Sequence, residues 1–260
     1  MFSQPAVQAL LLSLAAGLTT VLGCVLIFFA PGKNERLLSV ALGLAAGVML
    51  SVSFLDLYPQ AENLFRTFFS EKVSVLAAVS GLLSGIFGAA AADKFVPHEA
   101  YDPQTGEAAH KNLYRTGMLS VIVIGLHNFP EGIATFMAGY KSLSLGVSLA
   151  AAVALHNIPE GIAVAMPIYY ATASRSKAVL YTALCGIAEP LGALAAFGVL
   201  YPFINDTVLG AVFAFVAGIM IYVTVEELIP SSRQYGHDRE ALWATFTGIC
   251  LMPLTHLIHF

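Results

Sequence analysis

One short polar motif occurs twice in this chain, each time inside an apolar segment. It reads LHNFPEGIA at residues 126–134 and LHNIPEGIA at residues 155–163. The His and Glu of each copy are four residues apart, so on a helix they share one face. These four side chains are His127, Glu131, His156 and Glu160. Imidazole nitrogens and carboxylate oxygens suit Zn²⁺ and neighbouring divalent first-row ions, so the repeated motif predicts a metal site.

Other polar residues can widen this candidate site. Asn128 and Asn157 directly follow the two histidines and add neutral oxygen donors toward the adjacent helical face. Glu189, in the stretch GIAEPLG, lies about midway along another apolar segment and is also followed by proline. Glu189 can extend the site to a second ion, with the two motif glutamates as bridges. The residues alone leave open whether one ion or two are bound.

The composition places this chemistry inside a membrane. Hydrophobic residues make up 58% of the 260-residue chain and charged residues only 11%, whereas about a quarter of the residues of a soluble protein are charged. An ionisable side chain at the bilayer centre costs about 2.5–3.5 kcal/mol even on the lenient insertion scale. A bound cation that neutralises several carboxylates is a natural compensation. The alternative, hydrogen-bonded packing residues, fits one copy of the motif better than two copies at matched depth.

Eight apolar segments are long enough to cross a bilayer as helices, which takes about 20 residues each. They are residues 6–30, 37–58, 73–92, 117–139, 143–170, 177–201, 207–229 and 241–258. The longest connection, residues 93–116, has the Pro, Gly, Asp and charged residues of a loop and is too short for a soluble domain. The sequence therefore predicts an all-α integral membrane protein with a single transmembrane domain, residues 1–260.

The basic residues predict the orientation of these spans. If the N-terminus lies outside, nine of the twelve Lys and Arg residues fall in cytoplasmic loops, including loop 93–116. Only Arg66, Lys72 and Lys141 then fall outside. This distribution follows the positive-inside rule. With eight spans, both termini are expected to face outward.

A second, weaker repeat links the second and seventh spans. AGVMLSVSFLDLYP (residues 46–59) aligns without gaps with AGIMIYVTVEELIP (residues 217–230), with six of fourteen positions identical. The predicted topology makes this pair antiparallel, and the two motif-bearing spans are antiparallel as well. The chain therefore has the inverted repeats of a secondary transporter with a site near the bilayer midplane. Its spans follow a 3+2+3 arrangement.

The weaker repeat also places a carboxylate toward each end of the path. Asp56 lies near the outer end of the second span, and Glu226 and Glu227 lie near the inner end of the seventh. Asp56 can attract an incoming cation, and Glu227 can receive it on the cytoplasmic side. The alternative is that these acids pair with Arg or Lys at the membrane surface.

The paired HN-x-PEG motifs on the fourth and fifth spans resemble the ZIP (Zrt/Irt-like) family of metal transporters, in particular its bacterial ZupT/GufA-like branch. The likeness extends over essentially the whole chain in span number, outward termini and 3+2+3 layout. The resemblance implies uptake of Zn²⁺, and also of Fe²⁺, Mn²⁺ and Cd²⁺, into the cytoplasm across the cell's inner or plasma membrane. The metal is then the transported substrate and no catalytic cofactor is expected.

The resemblance also implies a ligand set. The family's binuclear centre would map onto His127, Asn128, Glu131, His156, Asn157, Glu160 and Glu189. It points further to Met49 as a soft ligand on the second span, although a core methionine is an equal alternative. Expected partners are divalent metal ions and the lipid bilayer, without nucleic acid, and a homodimer is left open. Many relatives have a His-rich loop where this chain has only His98 and His110, and a role in metal binding stays open for these two and for the C-terminal His256 and His259.

Two other classes of protein compete with a transporter. An intramembrane metal-dependent hydrolase would hold a fixed zinc with an open position for water. Its expected H-E-x-x-H helix is absent, because both motifs read H-N-x-P-E. A structural scaffold stapled by metal leaves the inverted repeats and the acids at the two mouths unexplained.

Overall fold

All regular secondary structure in the described part of the chain is helical. The computed structural model describes residues 4–29, 34–94, 107–200 and 205–255, without the side chains of 26, 29, 107–112, 199, 200 and 255. The α-helices are α1 (Gln4–Leu22), α2 (Val25–Phe29), α3 (Glu35–Ser51), α4 (Tyr58–Arg66), α5 (Glu71–Asp93), α6 (Glu107–Lys141), α7 (Leu143–Thr172), α8 (Arg175–Ala195), α9 (Asp206–Val223), α10 (Ile229–Arg233) and α11 (Asp238–Thr255). Three π-helical segments lie between them, at Val52–Leu57, Ala196–Leu200 and Thr224–Leu228. The predicted all-α class is confirmed.

Among the described residues, seven helical stretches are long and apolar enough to cross a membrane. They are Gln4–Leu22, Glu35–Arg66, Glu71–Asp93, Leu113–Lys141, Leu143–Thr172, Arg175–Gly198 and Asp206–Arg233. They coincide with the first seven predicted spans, except that the first ends at Leu22, well before its predicted end at residue 30. The eighth prediction, 241–258, coincides with α11 as far as Thr255 and then leaves the described residues, as do His98, His256 and His259. A multi-pass helical protein is confirmed, while the count of eight and the outward termini stay predictions.

Four helices pack into one group around the repeated motif. α1, α6, α7 and α8 all contact one another. α6 and α8 approach each other closely. A Cβ added to Gly132 would lie 1.8 Å from the carbonyl oxygen of Glu189, and one added to Gly192 would lie 1.9 Å from that of Phe129. Backbones approach this closely only where the side chain is absent, as is common in membrane helix pairs. The motif therefore lies in a tightly packed four-helix group.

The remaining long helices form a second group. α3 packs along α11, α5 packs along α9, and α4 covers α9. The 3+2+3 arrangement thus describes the order of spans along the chain, but the packing differs from it, because α1 and α8 join the central pair of helices. The two groups meet where α3 packs on α7 and α9 packs on α6.

The two members of the weaker repeat share the same local structure. Both contain a π-helical segment at aligned positions, Val52–Leu57 and Thr224–Leu228. Ser53 Oγ donates to the Met49 carbonyl at 2.7 Å, and the aligned Thr224 Oγ1 donates to the Met220 carbonyl at 2.7 Å. A proline follows each segment and has no N–H to continue the regular ladder, and π turns of this kind occur often at functional sites. The repeat is therefore a structural one and not a chance similarity of apolar residues.

The α6–α8 contact gives a stability prediction. Gly132→Ala places a methyl group against the Glu189 carbonyl, so the helices must separate. We expect a loss of about 1–3 kcal/mol, as for other overpacked interiors, measured as a lower thermal unfolding midpoint of the protein in detergent. Gly125→Ala is the matched control, because an added Cβ at this position of α6 meets nothing within 4 Å. Equal midpoints for the two variants would contradict the close packing.

Candidate metal centre

The structure brings the His and Glu side chains of both motifs together. His127 and Glu131 project from α6, and His156 and Glu160 from α7. Glu131 Oε1 lies 2.9 Å from His156 Nε2 and 3.3 Å from His127 Nε2, which is also 3.3 Å from Glu160 Oε1. The two imidazole rings are 6.1 Å apart between centroids. All four side chains are buried, so each helix delivers its i, i+4 pair to one shared point.

Three of these residues have the geometry of a metal site. One ligand atom from each of His127, Glu131 and His156 lies within 4.8 Å of the other two. Zn²⁺ binds His nitrogen and carboxylate oxygen at about 2.0–2.2 Å, so two donor atoms bound to the same ion lie within about 4.4 Å of each other. A small adjustment of the side chains is sufficient for them to surround a cation.

Several buried donor atoms at this point form no hydrogen bond of good geometry among the described residues, although His127 Nε2 lies 3.3 Å from carboxylate oxygens of Glu131 and Glu160. They are His127 Nε2, Glu131 Oε2, both carboxylate oxygens of Glu160, and Glu189 Oε1. Leaving a buried polar atom unsatisfied costs about 1–3 kcal/mol, and more when the group is charged. Buried polar groups in folded proteins are nearly always satisfied. Lone pairs concentrated in this way are the arrangement expected of groups that receive a cation.

The two asparagines are held by their amide nitrogens. Asn157 Nδ2 donates to Glu189 Oε2 at 2.9 Å and to the Ala16 carbonyl at 3.0 Å, and Asn128 Nδ2 donates to the Cys185 carbonyl at 3.1 Å. The Oδ1 atom of each asparagine is buried and has no hydrogen-bond partner among the described residues. The bonds from nitrogen therefore fix the amides and leave oxygen available for a ligand. They also bring Glu189 of α8 to the motif.

The motif prolines do not break their helices. Pro130 lies inside the continuous helix α6, and Pro159 lies inside α7. A proline removes one intrahelical hydrogen bond, and neighbouring groups in a membrane protein can compensate for that loss. The ligands are therefore held on rigid helices.

The structure separates the other predicted residues into different environments. Met49 is fully buried within the main apolar core, as the alternative interpretation expected, and its role as a ligand stays a prediction. Glu226 is exposed, whereas Glu227 is buried and forms an ion pair with Arg115. The alternative that these acids pair with Arg or Lys is therefore right for Glu227 as regards the partner. It is wrong as regards the place, because the pair is buried and not at the surface.

A cavity of about 60 Å³ reaches the cluster from the side of Asp56. Asp56, Gln60 and Thr135 line it together with Glu131 and His156. It shares Gln60 with a wider opening of about 360 Å³ that Asn63 and Met137 also line. Residues near Asp56 thus connect the end of the bundle with the candidate ligands.

Sequence reasoning missed two polar residues of this cavity. Thr135 is fully buried, and its hydroxyl has no hydrogen-bond partner among the described residues. Its position one helical turn after Glu131 was a signal that it shares the ligand face. Gln60 offered no such signal, since its place in the cavity depends on how α4 packs.

The comparisons with known proteins agree with this geometry. A profile described as the ZIP Zinc transporter family matches residues 98–255. The chain is 38% identical to the zinc transporter ZupT of Streptococcus mutans, with 98% of this chain and 99% of that protein covered. It is 42% identical to the zinc transporter ZupT of Akkermansia muciniphila, with 94% of each chain covered, and 37% identical to that of Campylobacter jejuni, with 95% and 94% covered. A buried His and Glu cluster on membrane-spanning helices and similarity of this extent lead to one conclusion: the chain belongs to the ZIP family of zinc transporters.

Proposed function

We propose that this protein carries Zn²⁺ into the cytoplasm through the buried cluster of His127, Glu131, His156 and Glu160. The observation that carries the proposal is the group of close His and Glu contacts between two membrane-spanning helices, in which several buried donor atoms form no hydrogen bond among the described residues. Membership of the ZIP family makes the protein a transporter and not an enzyme. The matched relatives are named as zinc transporters, which supports zinc as the chief substrate.

The ligand types also support transport of similar ions. Imidazole binds zinc, iron and other first-row metals, and carboxylate oxygen suits manganese. We therefore include Fe²⁺ and Mn²⁺ as further substrates, together with Cd²⁺, which the resemblance to the ZIP family implies. The predicted ligands contain no thiolate, and a mixed nitrogen and oxygen site suits an ion that must leave again.

The path that we propose starts at Asp56 and ends at Glu227. Asp56 lines the cavity that leads to Glu131 and His156, so it can attract a cation and pass it inward. Glu227 is the aligned residue of the repeat at the other end of the bundle. We assign the role of receiving the ion on the cytoplasmic side to Glu227, because its neighbour Glu226 is exposed.

The proposal includes a membrane topology. Eight spans, both termini outside and one transmembrane domain over residues 1–260 place the Arg115 end of the bundle in the cytoplasm. The membrane is then the cell's inner or plasma membrane.

A second ion is part of this proposal. Glu189 accepts a hydrogen bond from Asn157, the residue that directly follows His156 of the cluster. Its other carboxylate oxygen is buried and has no hydrogen-bond partner among the described residues. Glu189→Gln should lower the zinc content of the purified protein from two ions to one, because it removes a charged ligand from one ion only. Metal analysis after equilibrium dialysis measures this ratio. An unchanged ratio of two would exclude Glu189 as a ligand.

Uptake of radioactive zinc into proteoliposomes tests the function. Liposomes with the purified protein should accumulate zinc down a gradient faster than protein-free liposomes. The alternative hydrolase would instead cleave a peptide or lipid substrate and give no metal flux. Flux without cleavage supports the transporter, and cleavage without flux overturns it.

A further inference from the structure

A buried ion network lies at the end of the bundle opposite Asp56. Arg115 of α6 forms ion pairs with Asp93 of α5 and with Glu227 of the π segment after α9, and all three residues are buried. Thr116 Oγ1 donates to Glu227 Oε2 at 3.0 Å, and Tyr222 OH donates to Asp93 Oδ2 at 3.1 Å. One guanidinium thus bridges two carboxylates, and each carboxylate is also held by a hydroxyl.

The network crosses the interface between the two helix groups. Arg115 and Thr116 belong to α6 in the motif-bearing group, whereas Asp93 and Glu227 belong to elements of the other group. Thr116 Oγ1 also lies 3.1 Å from Ser231 Oγ of that second group. At the same end, Tyr170 of α7 donates to the Asn34 carbonyl at 2.8 Å and accepts from the Asn34 N–H at 3.0 Å. Polar contacts therefore fasten the two groups together at this end.

The two aligned acids of the weaker repeat, Asp56 and Glu227, lie in different environments. Asp56 lines the open cavity that reaches the candidate ligands. Its aligned counterpart Glu227 is engaged by Arg115 and Thr116. Ser120, which donates to the Thr116 carbonyl and is fully buried, lies between this network and His127, about 10 Å from the histidine along α6. A cavity thus reaches the candidate ligands from the Asp56 side, whereas the acid on the other side is held by Arg115 and Thr116.

We propose that Arg115 is a gating residue of the transport cycle, a tethered cation that holds the Glu227 end closed while the Asp56 end is open. Its guanidinium neutralises the two carboxylates that a departing metal ion would otherwise meet. Opening this end requires Arg115 to leave Asp93 and Glu227, which then face water and the metal. The inference rests on the proposed function, and it adds a residue and an ion network to it.

Removing the positive charge of Arg115 should expose Ser120 to water. In a protein with Cys24, Cys185 and Cys250 replaced by alanine, Ser120→Cys supplies one thiol, and a positively charged methanethiosulfonate reagent measures its accessibility in detergent without metal. Arg115→Gln should raise the labelling rate at least about tenfold, because charge-assisted bonds that favour the closed arrangement are lost. Arg115→Lys keeps the charge and should restore most of the protection.

The same substitution at another arginine is the control. Arg36→Gln removes a cation from an exposed pair with Glu240, and it should leave the labelling rate unchanged. If Arg115→Gln does not fold, Tyr222→Phe keeps every charge, loosens only Asp93, and should still raise the rate severalfold.

Three results would overturn the gate. They are an unchanged rate in a folded Arg115→Gln or Tyr222→Phe protein, a lysine variant as reactive as the glutamine variant, and an equal increase with Arg36→Gln. Because the assay contains no metal, a failure of the gate is distinguishable from a failure of zinc transport itself.

Discussion

Replacing His127 and Glu160 together by alanine should reduce zinc uptake into proteoliposomes to the level of protein-free liposomes. The pair supplies one imidazole and one carboxylate, 3.3 Å apart in the buried cluster. Without them Glu131 and His156 remain as a single close pair, which is too few ligands to replace the water that a divalent cation loses on leaving solution. Removal of both groups also avoids leaving one as an uncompensated buried charge.

A half-buried His and Glu pair outside the cluster provides the matched control. His237 Nδ1 lies 3.8 Å from Glu240 Oε1 near the start of α11. The double variant His237→Ala with Glu240→Ala removes the same chemical groups at a site outside the cluster, and it should keep wild-type uptake. Both double variants must give a single symmetric peak in size-exclusion chromatography. Undiminished uptake by the cluster variant would defeat the site assignment.

Asp56→Asn should lower zinc uptake about tenfold at zinc concentrations well below saturation, a loss in the range of electrostatic steering by a charged cleft. Asp56 lines the cavity that leads to Glu131 and His156. The amide keeps the size of the side chain and removes the charge that concentrates cations at this mouth. Maximal uptake at saturating zinc should change much less, since the central ligands are intact. The loss should also shrink at higher ionic strength, because salt screens exposed charges.

Glu62 gives the comparison for this result. It is an acidic residue near the same end of the bundle, and its carboxylate is paired with Arg66 at 2.6 Å. Glu62→Gln changes the net charge by the same amount as Asp56→Asn and should have little effect on uptake. An equal loss from both variants would mean that general surface charge, and not Asp56 in the cavity, attracts the ion. Initial rates over a range of zinc concentrations separate these outcomes.

The amino-acid sequence by itself determined the membrane class, the first seven spans and the identity of the central side chains. Local rules were sufficient for these features. Runs of about 20 apolar residues cross a bilayer only as helices, and a spacing of four places His127 beside Glu131 on one helical face. The duplicated motif then specified the second pair, His156 and Glu160.

Only the tertiary structure decided how helices far apart in sequence meet around these pairs. The bond from Asn157 to the Ala16 carbonyl joins residues 141 positions apart, and Arg115 reaches Glu227 across 112 positions. No local pattern encodes such contacts, because they depend on which helix faces pack together. The same holds for the grouping of α1 and α8 with the motif helices.

The two acids at the inner end of the seventh span show most directly why the tertiary structure was needed. Glu226 and Glu227 are adjacent in sequence, and successive residues on a helix point in directions about 100° apart. They therefore face different directions, and which of them faces the interior depends on the rotation of the helix. In the structure a π-helical segment at Thr224–Leu228 sets that rotation, so that Glu227 is buried against Arg115 and Glu226 is exposed. Hydropathy and spacing determined that an acid lies at this end, and the packing of the helices determined which one faces inward.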